Sequence, residues 1–526
     1  MQIPKINIKK TIILHPFLFA VFPILSLYSH NIGQVPFHHI LMPSTVVLGA
    51  MLFLLLIFKL ITKNNEKAAV LTSMFLILFS SYGHLYNAIS SYRGGIDPLN
   101  FATHLSPIFT CIAILISAIY LIIKKCKNPN NLTNIFNLIA FFLVVGPIIN
   151  IGNYGSEIIN SPKNLDVQVV ETKDIDSYVE NTEGLPDIYY IILDKYSRAD
   201  VLEEIFDFDN SAFINYLSNK NFYVATQSKA NYHLTPLSLA SSLNMEYINY
   251  LAEEAGEDSD NWHPLYEMIK NNKVMQFLET KGYTSIHFET GWYPTAKNPY
   301  ADINIEFKSL TEFSRMLYEN TILAPIGNRF DFLNYRVEQY KRILYEFDEL
   351  AKIPDIKEPT FVFAHIIVPH DPYVFDKNGN FVSAIEEQRK GKKISYIEQL
   401  KFVNKKTEEL INAILSKSEI PPIIILQSDE GTYPKKFRQE LGAFDWNKAT
   451  DLEFKQKMSI LNAYYLPNAD KNILKPDMTP VNNFRMLFNL YFGTDFELLP
   501  NKQYIFVNEK QIYKFLDFTY ECREIK

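Results

Sequence analysis

Apolar residues are unevenly distributed along this chain of 526 residues. Before position 155 they form five nearly continuous stretches, near 11–29, 40–61, 68–88, 104–123 and 135–153. Most of these stretches approach the roughly 20 residues that an α-helix needs to span a bilayer. One such stretch alone could be a buried core helix, but five in series predict a polytopic α-helical membrane domain over residues 1–154.

The basic residues of this first part predict its orientation. They precede the first apolar stretch and flank the short loops after the second and the fourth: Lys5, Lys9, Lys10, Lys59, Lys63, Lys67, Lys124, Lys125 and Lys127. With five spans these segments lie on one side, and cytoplasmic loops are the ones enriched in Lys and Arg. The N-terminus is therefore expected in the cytoplasm of a plasma (inner) membrane protein, with everything after about residue 155 outside.

After a polar linker (155–186), the pattern of apolar residues changes. Short β-branched runs alternate with amphipathic stretches, and the runs cover 187–193, 284–288, 360–368 and 422–426. Apolar residues on consecutive positions are typical of strands buried on both faces, as in a parallel sheet. Residues 187–526 are therefore predicted to form an extracytoplasmic α/β domain with a mostly parallel, doubly wound sheet.

Charge separates the two parts and limits the partners of the second. Ten of the 51 basic residues but only two of the 58 acidic residues lie before position 155, so the formal charges are +8 and −15. Nucleic-acid binding needs a basic surface, so the acidic outer domain is not expected to bind nucleic acid.

Polar residues follow three of the predicted strands directly. Asp194 ends the first run, His370 follows the third, and Asp429 and Glu430 follow the fourth. In open α/β sheets, ligands bind at the carboxyl ends of the strands. Polar residues also end buried strands for ordinary reasons, but acids and a histidine occurring together favour a divalent metal site.

The segment 231–245 offers a hydroxyl nucleophile for such a site. Thr235 precedes Pro236, which is favoured in the first turn of a helix. A hydroxyl at a helix N-terminus lies beside free N–H groups that bind phosphate well. The commoner role of a threonine at this position is a plain N-cap, and the spacing alone does not exclude it.

Four motifs in this order resemble a known family. They are an acid ending the first strand (Asp194), T-x-L-S-L (Thr235 to Leu239), H-D-P-Y (His370 to Tyr373) and S-D-x-G (Ser428 to Gly431). The set resembles the lipoteichoic-acid synthase and phosphoethanolamine transferase branch of the alkaline-phosphatase superfamily, often called sulfatase-like. The resemblance implies the alkaline-phosphatase/sulfatase type of sheet for the outer domain.

The resemblance also implies roles for single residues. Asp194 and Asp429 would be metal ligands, and Thr235 would be both a ligand and the nucleophile that becomes phosphorylated. Glu430 would be a further ligand, although it stands where the family usually has histidine in S-D-H-G. A glutamate favours Mn²⁺ or Mg²⁺, with Zn²⁺ or Ca²⁺ as alternatives, or it marks a weakened site.

The remaining residues would contact the substrate. His370 would bind the substrate phosphate or protonate the leaving group, and His365 would assist. His365 lies inside a strand run, so a satisfied core histidine is the alternative interpretation. His233, two residues before Thr235, and Lys195, which follows Asp194, are further candidate substrate contacts.

Together these features predict a membrane-anchored, metal-dependent phosphotransferase or phosphodiesterase. It would move a phospho-headgroup from a membrane phospholipid to a cell-envelope glycan or lipid through a phospho-threonine. The alternatives are an inactive sulfatase-like scaffold or sensor, a hydrolase acting on an envelope ester, and, on weaker grounds, a membrane glycosyltransferase. A formylglycine sulfatase is disfavoured because no C/S-x-P-x-R motif occurs.

Overall fold

The chain divides into two compact units. The computed structural model describes residues 12–92, 101–160, 184–330, 333–439, 444–506 and 508–519. One unit comprises Met1–Lys163 together with Leu310–Asn334, and we call it the helical unit. The other comprises Asn164–Ser309 and Tyr335–Lys526, and we call it the sheet unit. Most of the predicted linker lies outside the described residues.

The helical unit begins with six helices, α1 His15–His30, α2 Leu41–Thr62, α3 Asn65–Ser80, α4 Tyr82–Tyr92, α5 Phe101–Lys124 and α6 Pro129–Asn160. By length and composition, three helical segments can cross a membrane, namely Phe37–Thr62, Thr103–Lys124 and Pro129–Gly155. A pair bent by 50°, Asn65–Ser80 with Tyr82–Ile89, is a fourth candidate. These four correspond to the second to fifth predicted spans. The first predicted span coincides with α1, which has 16 residues, and the total of five stays a prediction.

Polar side chains fix three of these helices to each other. The ring of His15 on α1 is hydrogen-bonded through Nδ1 to Ser73 Oγ on α3 at 2.6 Å. The backbone N–H of His15 donates to Asn137 Oδ1 on α6 at 2.8 Å. Because polar groups in apolar surroundings are stable only when they are paired, these bonds hold α1, α3 and α6 in one arrangement.

The sheet unit contains a mainly parallel sheet of seven strands, in the order β2-β7-β6-β1-β5-β3-β4. The strands are β1 Ile188–Leu193, β2 Tyr223–Val224, β3 Thr284–Phe288, β4 Ile303–Ile305, β5 Thr360–Ile366, β6 Ile423–Gln427 and β7 Asn462–Tyr465. A separate hairpin joins β8 Tyr504–Phe506 and β9 Phe515–Asp517. The four predicted strands are β1, β3, β5 and β6, and they run parallel as expected. β7 is antiparallel to both of its neighbours.

Helices cover both faces of the sheet. The remaining helices are α7 Ala199–Phe206, α8 Ser211–Asn219, α9 Thr235–Asn244, α10 Leu251–Glu254, α11 His263–Lys270, α12 Lys273–Thr280, α13 Glu312–Glu319, α14 Leu323–Arg329, α15 Tyr335–Leu350, α16 Ala384–Lys390, α17 Lys392–Lys417, α18 Lys435–Gln439, α19 Asp451–Met458 and α20 Asn483–Phe492. Along β1, Tyr190 and Ile192 enter one apolar core, whereas Tyr189 and Ile191 enter the other. This alternation explains why the strand is apolar at every position, and it confirms the predicted doubly wound α/β architecture.

The helices α13 and α14 belong to the helical unit although the sheet unit surrounds them in sequence. We call Leu310–Asn334, which carries both helices, the returning segment. Phe313 on α13 is buried in an apolar cluster with Ile24, Tyr28 and Ile40. The chain therefore enters the helical unit twice, and the sequence pattern did not set this segment apart.

A close backbone approach fixes the returning segment in place. Gly83 N donates to Asn320 O at 2.9 Å, and Ile322 N donates to Phe79 O at 3.3 Å. A Cβ atom on Gly83 would lie only 2.9 Å from both Cα and Oδ1 of Asn320. Only glycine leaves room for this approach, so a single small residue controls the contact.

We expect Gly83→Ala to loosen the returning segment selectively. Overpacking of this kind typically costs about 1–3 kcal/mol, so amide hydrogen exchange in peptides covering 310–334 should be about 5-fold to 150-fold faster. The matched control is Gly49→Ala on α2, where an added Cβ meets nothing within 4 Å. Exchange in 310–334 that is equal in both variants and the wild type would contradict this role of Gly83.

We also expect Glu346 to make the stability of the sheet unit depend on pH. Its carboxyl group is buried on α15 without a hydrogen-bond partner among the described residues. Burial, partly offset by Arg342, raises the pKa of Glu346 from 4.5 to about 8. The folded state therefore holds this proton more tightly, and the resulting stability is full below about pH 4.5 and is lost as the pH rises to about 8.

The substitution Glu346→Gln removes this titration. The wild type should lose about 1.4 kcal/mol relative to the variant for each pH unit within that window. All three tryptophans (Trp262, Trp292 and Trp446) lie in the sheet unit, so urea unfolding followed by tryptophan fluorescence measures this difference. Glu338→Gln on the same helix is the control. A constant difference between wild type and Glu346→Gln across the window would rule out this assignment.

Candidate active site

Three neighbouring strands deliver the central residues of the site. Asp194 directly follows β1, His365 is the penultimate residue of β5, and Asp429 lies two residues after β6. Ile192 on β1 is paired with His365 on one side and with Gln427 on the other. Because parallel strands bring their carboxyl ends to one edge, these three side chains meet although they are far apart in sequence.

Asp194, His365 and Asp429 form a buried group with the geometry of a metal site. One ligand atom from each of the three lies within 4.8 Å of the others. Asp194 Oδ1 and His365 Nε2 are buried and have no hydrogen-bond partner among the described residues. Buried polar atoms are nearly always paired, and two carboxylates with an imidazole are common ligands of divalent metals. The residues present therefore fit the metal ion that the sequence resemblance implies.

The ionisation of the two carboxyl groups also indicates a place for a cation. Burial, followed by the adjacent charge of Asp194, raises the pKa of Asp429 to about 6. Burial also opposes ionisation of Asp194, but His370, His365 and Lys195 together hold the pKa of its carboxyl well below the usual range. Two close carboxylates in a buried position repel each other unless a cation lies between them.

Thr235 lies beside this group at the first residue of α9. Its hydroxyl donates to Asp429 Oδ2 over 2.5 Å, and its side chain is only half-buried. Ser238, one turn further along α9, donates to the carbonyl oxygen of Asp429 at 2.7 Å. The helix and the end of β6 are therefore joined at two points, which orient the Thr235 hydroxyl toward the carboxylates.

His365 is held by a chain of hydroxyl groups from the loop after β3. Its Nδ1 is hydrogen-bonded to Thr295 Oγ1 at 3.0 Å, and Thr295 is bonded to Thr290 Oγ1 at 2.9 Å. The ring of Trp292 contacts the imidazole edge to face, with centroids 5.8 Å apart. With Nδ1 engaged, Nε2 is the atom that faces Asp194, at 3.4 Å from Oδ2. Such outer partners fix the orientation of metal-binding histidines.

Glu430 is bound by a lysine. Its Oε1 forms an ion pair of 2.8 Å with Lys457 Nζ, and both side chains are almost completely buried. The Lys457 ammonium also lies 3.5 Å from the ring centroid of Tyr433. Burial raises the pKa of Glu430 and lowers that of Lys457, and the attraction between them opposes both shifts. Glu430 Oε2 has no hydrogen-bond partner among the described residues.

Lys195 is a second buried ammonium at the site. Its Nζ lies 4.4 Å from the ring centroid of Tyr433 and 3.9 Å from Asp371 Oδ1. Its backbone N–H donates to Asp429 Oδ1 at 3.2 Å, and its φ of 61° is in the left-handed region. A bulky residue in this conformation is strained, which is characteristic of functional sites. Lys195 therefore links the ends of β1 and β6 through its backbone.

His370 is the more exposed histidine of the site. It lies in the loop after β5, and its side chain is 29% exposed, compared with 1% for His365. Its Nδ1 is 3.5 Å from Asp371 Oδ1. Burial of the ring and the nearby Lys195 charge lower the pKa of His370, and Asp194 and Asp371 partly offset this. A substrate that arrives from solvent can reach this imidazole.

His233 is packed among aromatic rings. Its ring contacts Phe506 and Trp446 with centroid distances of 4.5 and 5.5 Å. It is buried, and burial followed by the Lys457 charge lowers its pKa well below the usual value, so the ring is neutral. Its Nδ1 has no hydrogen-bond partner among the described residues. A substrate contact by His233 stays a prediction.

Sequence reasoning missed Lys457, Tyr433 and Thr295. Lys457 is on the charged helix α19, where a lysine is expected to face solvent. The missed signal was Gly431, because a Cβ there would lie 2.2 Å from the carbonyl oxygen of Gln456. The S-D-x-G glycine thus brings the end of α19, and with it Lys457, against the site.

Fold and site define a protein with apolar helices and an α/β unit that carries a hydroxyl beside a buried carboxylate–histidine group. No model of a known protein family matches the chain, and no curated protein matches it. Solved structures do match. The integral membrane protein lipooligosaccharide phosphoethanolamine transferase A (EptA) from Neisseria meningitidis is 13% identical with a TM-score of 0.38, and the match covers 92% of this chain and 90% of that one.

Two solved periplasmic domains also match a part of this chain. The C-terminal periplasmic domain of EcEptC from Escherichia coli is 11% identical with a TM-score of 0.43, over 64% of this chain and 94% of that one. The corresponding domain of phosphoethanolamine transferase EptC from Campylobacter jejuni is 10% identical with a TM-score of 0.36, over 60% and 92%. Phosphoethanolamine transferases are one of the two groups that the sequence motifs resemble.

The Glu430–Lys457 ion pair should be strongly coupled in stability. Removing one partner of a buried pair leaves an uncompensated charge and costs about 3–5 kcal/mol, whereas removing both can be nearly neutral. We therefore expect Lys457→Met to destabilise the sheet unit more than the double variant Glu430→Gln/Lys457→Met. Urea unfolding of the two single variants and the double variant measures the coupling. Additive losses would show that the pair is not formed.

Proposed function

We propose that the chain is a membrane-anchored, metal-dependent phosphotransferase that works through a phospho-threonine at Thr235. The observation that carries this proposal is the hydrogen bond of 2.5 Å between the Thr235 hydroxyl and Asp429 Oδ2. It places a hydroxyl with a ready proton acceptor directly beside the buried group of Asp194, His365 and Asp429. A nucleophile activated by an adjacent base at a metal site is the arrangement that phosphoryl transfer requires.

In the first step the Thr235 oxygen attacks the phosphorus of a phospholipid. The Thr235 Oγ1–phosphorus bond forms as the bond between phosphorus and the diacylglycerol oxygen breaks, and the hydroxyl proton passes to Asp429 Oδ2. The leaving alkoxide takes a proton from the imidazolium form of His370, which the charges of Asp194 and Asp371 stabilise. The products are diacylglycerol and a phosphorylated Thr235 that carries the headgroup.

In the second step an acceptor hydroxyl releases the headgroup. It attacks the same phosphorus and gives its proton to His370, while the bond to Thr235 Oγ1 breaks. Asp429 returns the proton to Thr235. With an envelope glycan or lipid as the acceptor the reaction is a transfer, and with water it is the hydrolysis that the sequence also allowed.

Asp194, His365 and Asp429 are the residues that would hold the metal ion. A divalent cation there would withdraw charge from the phosphoryl oxygens and keep Thr235 beside them. Oxygen donors predominate in this set, which favours Mn²⁺ or Mg²⁺, with Zn²⁺ or Ca²⁺ as further candidates. Glu430 Oε1 is already bound by Lys457. We therefore assign Asp194, His365 and Asp429 as the metal ligands, and Glu430 supports the site without binding the ion.

Lys195 and His370 are the candidates for binding the phosphate of the substrate. The Lys195 ammonium is buried beside Tyr433. Its ion pair with Asp371 is long, at 3.9 Å, so the ammonium group can also bind the phosphate of a substrate. A buried cation attracts a phosphodiester more strongly than an exposed one because water screens it less. The apolar helices support a phospholipid as the donor, since they hold the chain in the plasma (inner) membrane with the sheet unit outside.

The test is the release of diacylglycerol from phospholipid by the purified full-length protein with Mn²⁺. The substrate panel contains phosphatidylethanolamine and phosphatidylglycerol labelled in the headgroup, so that a phosphorylated protein is also detected. Thr235→Ala should abolish both turnover and labelling, a loss of at least about a hundredfold for a missing nucleophile. Thr450→Ala, which removes an exposed helix cap on α19, is the matched control and should keep both.

The possible outcomes separate the candidate functions. Diacylglycerol release with a labelled acceptor establishes a transferase, and release of the free headgroup phosphate establishes a hydrolase. Turnover that is equal in wild type and Thr235→Ala would exclude the threonine mechanism. Complete absence of turnover and labelling with every lipid and metal would favour the inactive scaffold.

A further inference from the structure

The helix α14 exposes an apolar face. The exposed fractions are 47% for Leu323, 38% for Ile326 and 74% for Phe330, which follows the last residue of the helix. Spacings of three and four residues put these side chains on one side of the helix. Among the large hydrophobic residues that the structure describes, none is more exposed than Phe330.

This degree of exposure is typical of the membrane spans. On the candidate spans the most exposed apolar side chains are Leu60 at 70%, Phe142 at 68%, and Phe53 and Phe109 at 65% each. In the described part of the sheet unit, no large hydrophobic residue exceeds the 53% of Ile394. A surface in water rarely keeps such side chains together, whereas a surface in lipid normally does.

The helix α14 lies next to a candidate span. α14 packs on α5, where Ile322, just before α14, and Ile108 of α5 join an apolar cluster. The neighbouring exposed residues of α5, namely Leu105, Phe109 and Ile112, are apolar as well. α14 therefore lies beside a helix whose exposed residues are suited to lipid.

We propose that α14 lies in the interface of the lipid bilayer, with Leu323, Ile326 and Phe330 inserted among the acyl chains. Arg329, in the last turn, has its guanidinium group 5.9 Å from the Phe330 ring and can reach the lipid phosphates from there. An apolar face with an arginine at its edge suits such an interfacial helix. With the predicted orientation of α5, the leaflet is the outer one.

The returning segment would then give the protein a second membrane contact, although it interrupts the sheet unit in sequence. The returning segment continues into the sheet unit at both of its ends, at 309–310 and at 334–335. The sheet unit is thus connected to membrane-bound structure at three places, counting the predicted linker. This inference holds whether or not Thr235 is a nucleophile.

The experiment measures quenching of tryptophan fluorescence by brominated lipid in the full-length protein. Phe330→Trp and Leu323→Trp are compared with Leu452→Trp, because Leu452 in the sheet unit is 47% exposed, as Leu323 is. Each protein is reconstituted in phosphatidylcholine vesicles with acyl chains that are either brominated or unmodified. The signal of the three native tryptophans is subtracted with the wild type.

We expect the emission of the new tryptophan at 323 and at 330 to fall about twofold or more in brominated bilayers, as for other interfacial side chains. Emission at 452 should be nearly unchanged. If 323 and 330 are quenched no more than 452, the proposal is wrong. A blue-shifted but unquenched emission at both positions would also overturn it, because the face would then be covered by protein, such as a second copy of the chain. Two positions are used so that a folding defect in one variant does not decide the result.

Discussion

The close approach of two buried carboxylates, Asp194 and Asp429, is the constraint on which the site depends. Three parallel strands impose it, since β6 and β5 flank β1 and all three end at the same edge. Each neighbour of the pair offsets the repulsion: Thr235 and the Lys195 backbone donate hydrogen bonds to Asp429, and His365 Nε2 faces Asp194. The hydroxyl, the imidazole and the place for a cation therefore follow from one feature of the sheet.

This dependence explains why much of the fold and of the site could be predicted from the sequence. Strands buried on both faces are apolar at every position, so β1, β3, β5 and β6 were visible as continuous runs. The residues that end those runs must meet at one edge, and Asp194 and Asp429 do. His365 was harder to interpret, because its position inside an apolar run favours a core histidine. His365 nevertheless lies beside Asp194 and Asp429, because β5 ends only one residue after it, at Ile366. Its side chain is therefore at the carboxyl edge of the sheet.

What the sequence did not reveal depends on close contacts between distant segments. Lys457 is buried because Gly431 lets the loop after β6 approach the backbone of Gln456, and neither residue looks unusual in its own surroundings. The returning segment reads as ordinary amphipathic helices, yet Gly83 lets it reach the helical unit. In both cases the contact is possible because a glycine has no side chain. A glycine adds nothing to the hydrophobic or charge pattern of the sequence, so that pattern does not predict the contact.

The charges around the site also account for Glu430 in a place where the resembled family has histidine. Glu430 forms a buried ion pair of 2.8 Å with Lys457, so the two residues together add no net charge to the site. A glutamate without this lysine would add one negative charge beside Asp194 and Asp429 and would repel a phosphodiester at Thr235. The acidic residue and its buried lysine therefore belong together.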